Sequence, residues 1–115
     1  SHGLKQRLLL ASVMVRNPDI IILDEPMVGL DPEAARMVKD LFKELIKKNT
    51  TIFLSTHTLT DAQELCGRIA VINRGRIVAS GTLEELKEIA RKEHKLGDSP
   101  GTSLEDIYLS ITRNA

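Results

Sequence analysis

At 115 residues, with 42% hydrophobic and 28% charged side chains, the chain has the composition of one small globular domain rather than a disordered segment. The 16 Lys+Arg are balanced by 16 Asp+Glu, so no whole-chain field favours nucleic acid or an anionic membrane surface. No run approaches the ~18 consecutive apolar residues of a membrane-spanning helix, and the single cysteine, Cys66, excludes an internal disulfide framework and a Cys-based zinc site.

Residues 4–15 carry apolar side chains too densely for a surface strand, and the run Leu8-Leu9-Leu10-Ala11 predicts a well-buried helix that stops near Asn17-Pro18. Ile20-Ile21-Ile22-Leu23 follows, β-branched and without alternation, which predicts a strand of a parallel sheet covered on both faces. Asp31-Pro32 opens the clearest helix, with Met37, Val38, Leu41, Phe42, Leu45 and Ile46 on one stripe and Asn49 as its stop. Residues 51–55 read as a second buried strand. Thr58 with Asp61 forms a capping-box pattern for a short helix ending at Gly67.

Two further β-rich runs, 68–72 and 77–80, flank Asn73-Arg74-Gly75-Arg76, which is hairpin chemistry. Thr82 with Glu85 and Ser103 with Asp106 repeat the capping pattern before helices carrying Leu86, Ile89, Ala90 and then Leu104, Ile107, Ile111. Residues 95–101 read as a loop or linker. The expected architecture is α/β with a mainly parallel sheet, a closing β-hairpin and C-terminal helices; residues 1–94 form the main domain and 95–115 a linker and helical appendage.

Chemistry concentrates at strand ends. Asp24 and Glu25 leave the first strand where open α/β sheets bind ligands, and strand alternation gives the two acids different tasks. One can hold a metal while the other orients or deprotonates water, which suits phosphoryl transfer. Taken alone, an Asp-Glu pair more often begins a solvated loop. Asp31 is explained as a helix N-cap, and His57 follows the second strand, within reach of a phosphate or reacting water. Ser1-His2-Gly3-Leu4-Lys5-Gln6 enters a helix whose N-H groups can meet an anion, although an opening Ser-His also looks like a cloning remnant.

In this order the motifs resemble the second half of an ATP-binding cassette (ABC) ATPase, the nucleotide-binding subunit of ABC transporters. Residues 1–8 resemble the end of the signature motif, 20–26 Walker B with the catalytic glutamate, 29–32 the D-loop and 55–57 the switch histidine; residues 68–72 and 75–81 resemble the family's closing hairpin. The resemblance implies that Asp24 holds Mg2+ through water, Glu25 polarises the attacking water and His57 contacts the γ-phosphate of ATP. It further implies a head-to-tail dimer with a second nucleotide-binding subunit, where Ser1, Gly3 and Gln6 touch ATP bound to the opposite cassette and Asp31 links the two sites. Transmembrane permease subunits, a cytoplasmic position on the inner face of the membrane and no nucleic-acid partner complete the expectation.

The chain departs from the family pattern at His2, at Met27-Val28 and at Gly67. None of its seven glycines is followed by Lys, so it contains no Gly-x-x-x-x-Gly-Lys phosphate loop. It therefore reads as a fragment, inactive by itself, that self-associates through an apolar edge and face left by a missing strand. The alternatives are a soluble cassette ATPase acting on DNA or ribosomes, and a non-catalytic association fragment.

Overall fold

The computed structural model describes residues 2–94 and 102–113; the segment 95–101, read above as a linker, lies outside the described residues. The elements run α1 (His2–Arg16), β1 (Ile20–Asp24), α2 (Pro32–Lys47), β2 (Thr51–Ser55), α3 (Leu59–Leu65), β3 (Ile69–Asn73), β4 (Arg76–Gly81), α4 (Leu83–His94) and α5 (Leu104–Arg113). The chain divides into two compact units, Ser1–His57 and Thr58–Ala115.

In the first unit β1 and β2 pair in parallel from Ile20↔Thr51 to Asp24↔Ser55. Their entry is fixed by Thr51 N-H donating to the Asp19 carbonyl at 2.8 Å and by the buried Thr50 hydroxyl donating to the Pro18 carbonyl at 2.8 Å. The helix stops are as expected: Asn17 (φ +50°) follows α1 and Asn49 (φ +68°) follows α2, both in the left-handed region that Asn tolerates. Asp31 caps α2 by accepting from Ala34 N-H at 2.7 Å, with Pro32 at the first turn. Such a cap contributes about 1 kcal/mol.

Burial in this unit differs from the sequence expectation. Ile21 is buried, but Ile20 and Ile22 are 64% and 76% exposed, as is Phe53 on β2 at 68%. A strand pair with helices on one face buries alternate residues only, so an all-apolar run need not be covered twice. Helix α1 meets α2 but exposes Leu4, Leu8, Leu9 and Val15. On α2 the buried stripe narrows to Ala34, Val38, Phe42 and Leu45, with Met37 and Ile46 about half exposed at 46% and 49%.

The second unit is built on the antiparallel pair β3-β4, whose two-residue loop places Arg74 (φ +52°) and Gly75 (φ +76°) in the left-handed region. Two consecutive positive φ values are what a tight hairpin of native twist requires. Its core joins Ala62, Val71, Ala79, Leu86, Ala90, Leu104, Ile107 and Ile111, so α5 packs with α4, β4 and α3. The Gln63 side-chain oxygen accepts from Leu104 N-H at 2.8 Å, satisfying a donor at the start of α5. Of the three expected capping boxes, Ser103 and Asp106 exchange both backbone-to-side-chain bonds, at 3.1 and 3.2 Å, and Thr82 forms one, its Oγ1 accepting from Glu85 N-H at 3.2 Å. Thr58 occupies the N-cap of α3 without a side-chain cap bond, and the helix stops at an extended Cys66 rather than at Gly67. Burial raises the Cys66 thiol pKa, which suits a packed rather than reactive sulfur.

Candidate active site

The first unit brings three of the sequence-predicted residues, Asp24, Glu25 and His57, to the C-terminal ends of its two parallel strands. Asp24 is the last residue of β1 and stands opposite Ser55, the last residue of β2. The Ser55 hydroxyl donates to Asp24 Oδ1. One residue later Glu25 turns into the left-handed region (φ +48°), and its N-H donates to the Ser55 carbonyl at 3.0 Å. A non-glycine residue there is uncommon and costs of order 1–3 kcal/mol, which surrounding structure must hold in place.

That turn carries the Glu25 side chain away from Asp24 and onto His57, whose Nδ1 contacts Glu25 Oε1. An ionised carboxylate only accepts, so the ring presents Nδ1-H to Glu25 and keeps Nε2 for another partner. The exposures agree with this division: the Glu25 side chain is 24% exposed and the imidazole 97%. Past Glu25 the chain turns twice, with Val28 N-H donating to the Glu25 carbonyl at 3.2 Å and Leu30 N-H to the Met27 carbonyl at 3.3 Å, before Gly29 (φ +81°) leads to Asp31.

Asp31 is engaged as the cap of α2. Gly3 and Gln6 lie in α1, and Ser1 lies outside the described residues. Sequence reasoning gave Ser55 no role of its own. The available signal was parity: a hydroxyl residue ending β2 lies beside the acid ending β1 once the two strands pair in register.

The donor set suits one type of cation. Among the described residues no three His, Cys, Asp or Glu side chains gather into a metal cage. Asp24 offers one carboxylate, with Oδ1 already bonded to Ser55 and Oδ2 remaining. This fits Mg2+, which keeps several waters and is held by one or two carboxylates together with substrate phosphates.

A protein-family model described as "AAA domain, putative AbiEii toxin, Type IV TA system" matches residues 1–60. Among curated proteins the chain is 43% identical over 88 residues to Nod factor export ATP-binding protein I of Burkholderia thailandensis, covering 76% of this chain and 29% of that protein. It is 44% identical over 96 residues to a fluoroquinolones export ATP-binding protein of Mycobacterium tuberculosis, covering 84% of this chain and 32% of the relative. It is 45% identical over 87 residues to a daunorubicin/doxorubicin resistance ATP-binding protein of Streptomyces peucetius, covering 76% and 26%. The chain thus spans roughly three tenths of the length of these relatives. Among solved structures, an ATP-binding subunit of an ABC transporter superposes with TM-score 0.80 at 33% identity, covering 97% of this chain and 44% of that one. The Clostridium perfringens protein described as part of the ABC transporter complex cbiONQ superposes with TM-score 0.63 at 33% identity, covering 80% of this chain and 38% of that one.

Proposed function

This chain belongs to the AAA domain family whose model matches residues 1–60 and to the ATP-binding cassette ATPases, and from that membership we propose that it forms the C-terminal half of a nucleotide-binding subunit that hydrolyses MgATP to power export across a membrane. The observation that carries the reading is the contact of Glu25 with His57 just beyond the strand ends where Asp24 closes β1. Residues 1–94 belong to the cassette, and α5 beyond them is a C-terminal extension that packs into the core of its second unit.

In this reading Glu25 accepts a hydrogen bond from the attacking water and draws off its proton as the water oxygen bonds to the γ-phosphorus. The bond from that phosphorus to the β,γ-bridging oxygen breaks, leaving ADP and phosphate. His57, held at Nδ1 by Glu25, faces the γ-phosphate with Nε2, which donates to a phosphate oxygen when that nitrogen carries a hydrogen as well. Asp24 would hold the hydrated Mg2+, whose charge would offset that of the phosphate oxygens. The chemistry is positioning and charge stabilisation around the transferring phosphoryl group. Ser1, Gly3 and Gln6 contact ATP on a second nucleotide-binding subunit, and Asp31 links the paired sites from the start of α2. Permease subunits supply the pathway and the specificity, and the subunit sits on the cytoplasmic face of the membrane. Among the described residues no helix is long and apolar enough to cross a membrane, and a relative in structure is described as part of a transporter complex.

Without a Gly-Lys phosphate loop, the 115-residue chain alone holds an incomplete site. Calorimetry with MgATP should give no binding up to millimolar concentration, and joining the chain to the phosphate-loop segment of a cassette domain should restore it. Tight binding by the chain alone, or none by the joined protein, would contradict this account.

Self-association of the 115-residue chain belongs to the same reading, because Ile20, Ile22 and Phe53 lie exposed on the strand pair. Light scattering at tens of micromolar should find oligomers; a stable, monodisperse monomer counts against it.

A further inference from the structure

We propose that Ser55 is the positioning residue that orients both acids of the site, its hydroxyl setting the Asp24 carboxylate and its carbonyl setting the Glu25 backbone. The inference rests on the proposed phosphoryl-transfer reading for its consequence, while its geometry stands independently. Asp24 and Ser55 are the last registered partners of the parallel pair, so their side chains leave the same face of the sheet side by side. The Ser55 Oγ donates to Asp24 Oδ1, one of two chemically equivalent carboxylate oxygens. A charge-assisted bond to one oxygen holds the side-chain torsions and leaves the other oxygen facing in a fixed direction.

The second tether is the backbone. Glu25 N-H donates to the Ser55 carbonyl at 3.0 Å, just where φ of Glu25 is +48°. The side chain therefore emerges toward His57 rather than continuing the strand's alternation. A single residue thus divides two adjacent acids between two tasks: Asp24 is turned to the side that can hold a hydrated cation, and Glu25 to the histidine. Side-chain substitution at 55 removes the first tether and keeps the second, so the two are separable by experiment.

The test compares Ser55→Ala with Ser55→Thr in the 115-residue chain. Nuclear magnetic resonance couplings from backbone N and carbonyl carbon to Asp24 Cγ report its χ1 rotamer, and paramagnetic broadening by Mn2+ reports cation affinity at that carboxylate. Ser55→Ala should convert a single Asp24 rotamer into an averaged one and weaken Mn2+ binding about 10-fold, the scale on which residues behind a metal ligand act. Ser55→Thr, which keeps a hydroxyl at the same position, should restore both. The Glu25 amide should remain hydrogen-bonded in every variant.

An Asp24 rotamer unaltered in Ser55→Ala, or no rescue by Ser55→Thr, would overturn the inference. Mn2+ broadening that spares Asp24 even with ATP present in the protein joined to a phosphate-loop segment would instead count against the cation role in the proposed function. The rotamer couplings would then still decide the role of Ser55.

Discussion

Glu25→Gln is expected to lower MgATP hydrolysis by roughly 100- to 10,000-fold, the range for removing a general base, when this segment works with a phosphate loop. The amide keeps the shape of the side chain and can still meet His57, so the substitution removes basicity with little change in packing. MgATP affinity should stay within a few-fold of the unsubstituted protein, because Glu25 meets the water rather than the nucleotide. Steady-state hydrolysis together with equilibrium nucleotide binding separates these effects. Equal losses in binding and turnover would place Glu25 in nucleotide retention and remove it from the base role. Unchanged turnover would mean that another group accepts the proton.

Phe42→Ala carries the largest expected cost to stability, about 3–5 kcal/mol from lost burial and the cavity left behind. Phe42 is 1% exposed and shares the inner stripe of α2 with Ala34, Val38 and Leu45. A unit of this size has a small core and little stability in reserve, so a loss of that size can unfold it. Because α2 packs against β2, loosening it also frees the strand that ends in Ser55. Ile46→Ala, on the same helix but 49% exposed, should cost less than about 1 kcal/mol. Urea unfolding of both variants checks the contrast; a Phe42→Ala cost no larger than that of Ile46→Ala would show that the α2 stripe is not the core of this unit.

The location of the site is legible in the amino-acid sequence because its residues follow chain-local signals. An apolar run ending in Asp24-Glu25, and a second ending in Ser55-Thr56-His57, put acids and a histidine at strand ends. Asp31-Pro32, Asn17, Asn49 and the Arg74-Gly75 hairpin are legible for the same reason, since caps and turns depend on a few adjacent residues. Thr58 is the instructive exception. It stands at the expected N-cap, but the side-chain cap bond of its expected capping box does not form. Residue type selects the position, and the local backbone decides whether the bond closes.

By itself the sequence determined the order and kind of the elements, set by periodicity and short-range turn chemistry, and it carried the motifs behind the family resemblance that single out Asp24, Glu25 and His57 as candidate site residues. Tertiary structure decided which faces those elements bury: Ile21 inward while Ile20 and Ile22 remain exposed, and Phe42 inward while Ile46 does not. It also decided that Ser55 meets Asp24 and that Glu25 turns onto His57. The physical reason is that burial and partner choice depend on strand register and on which helix covers which face. Both are relations between residues some thirty positions apart, and no local pattern in the chain encodes them.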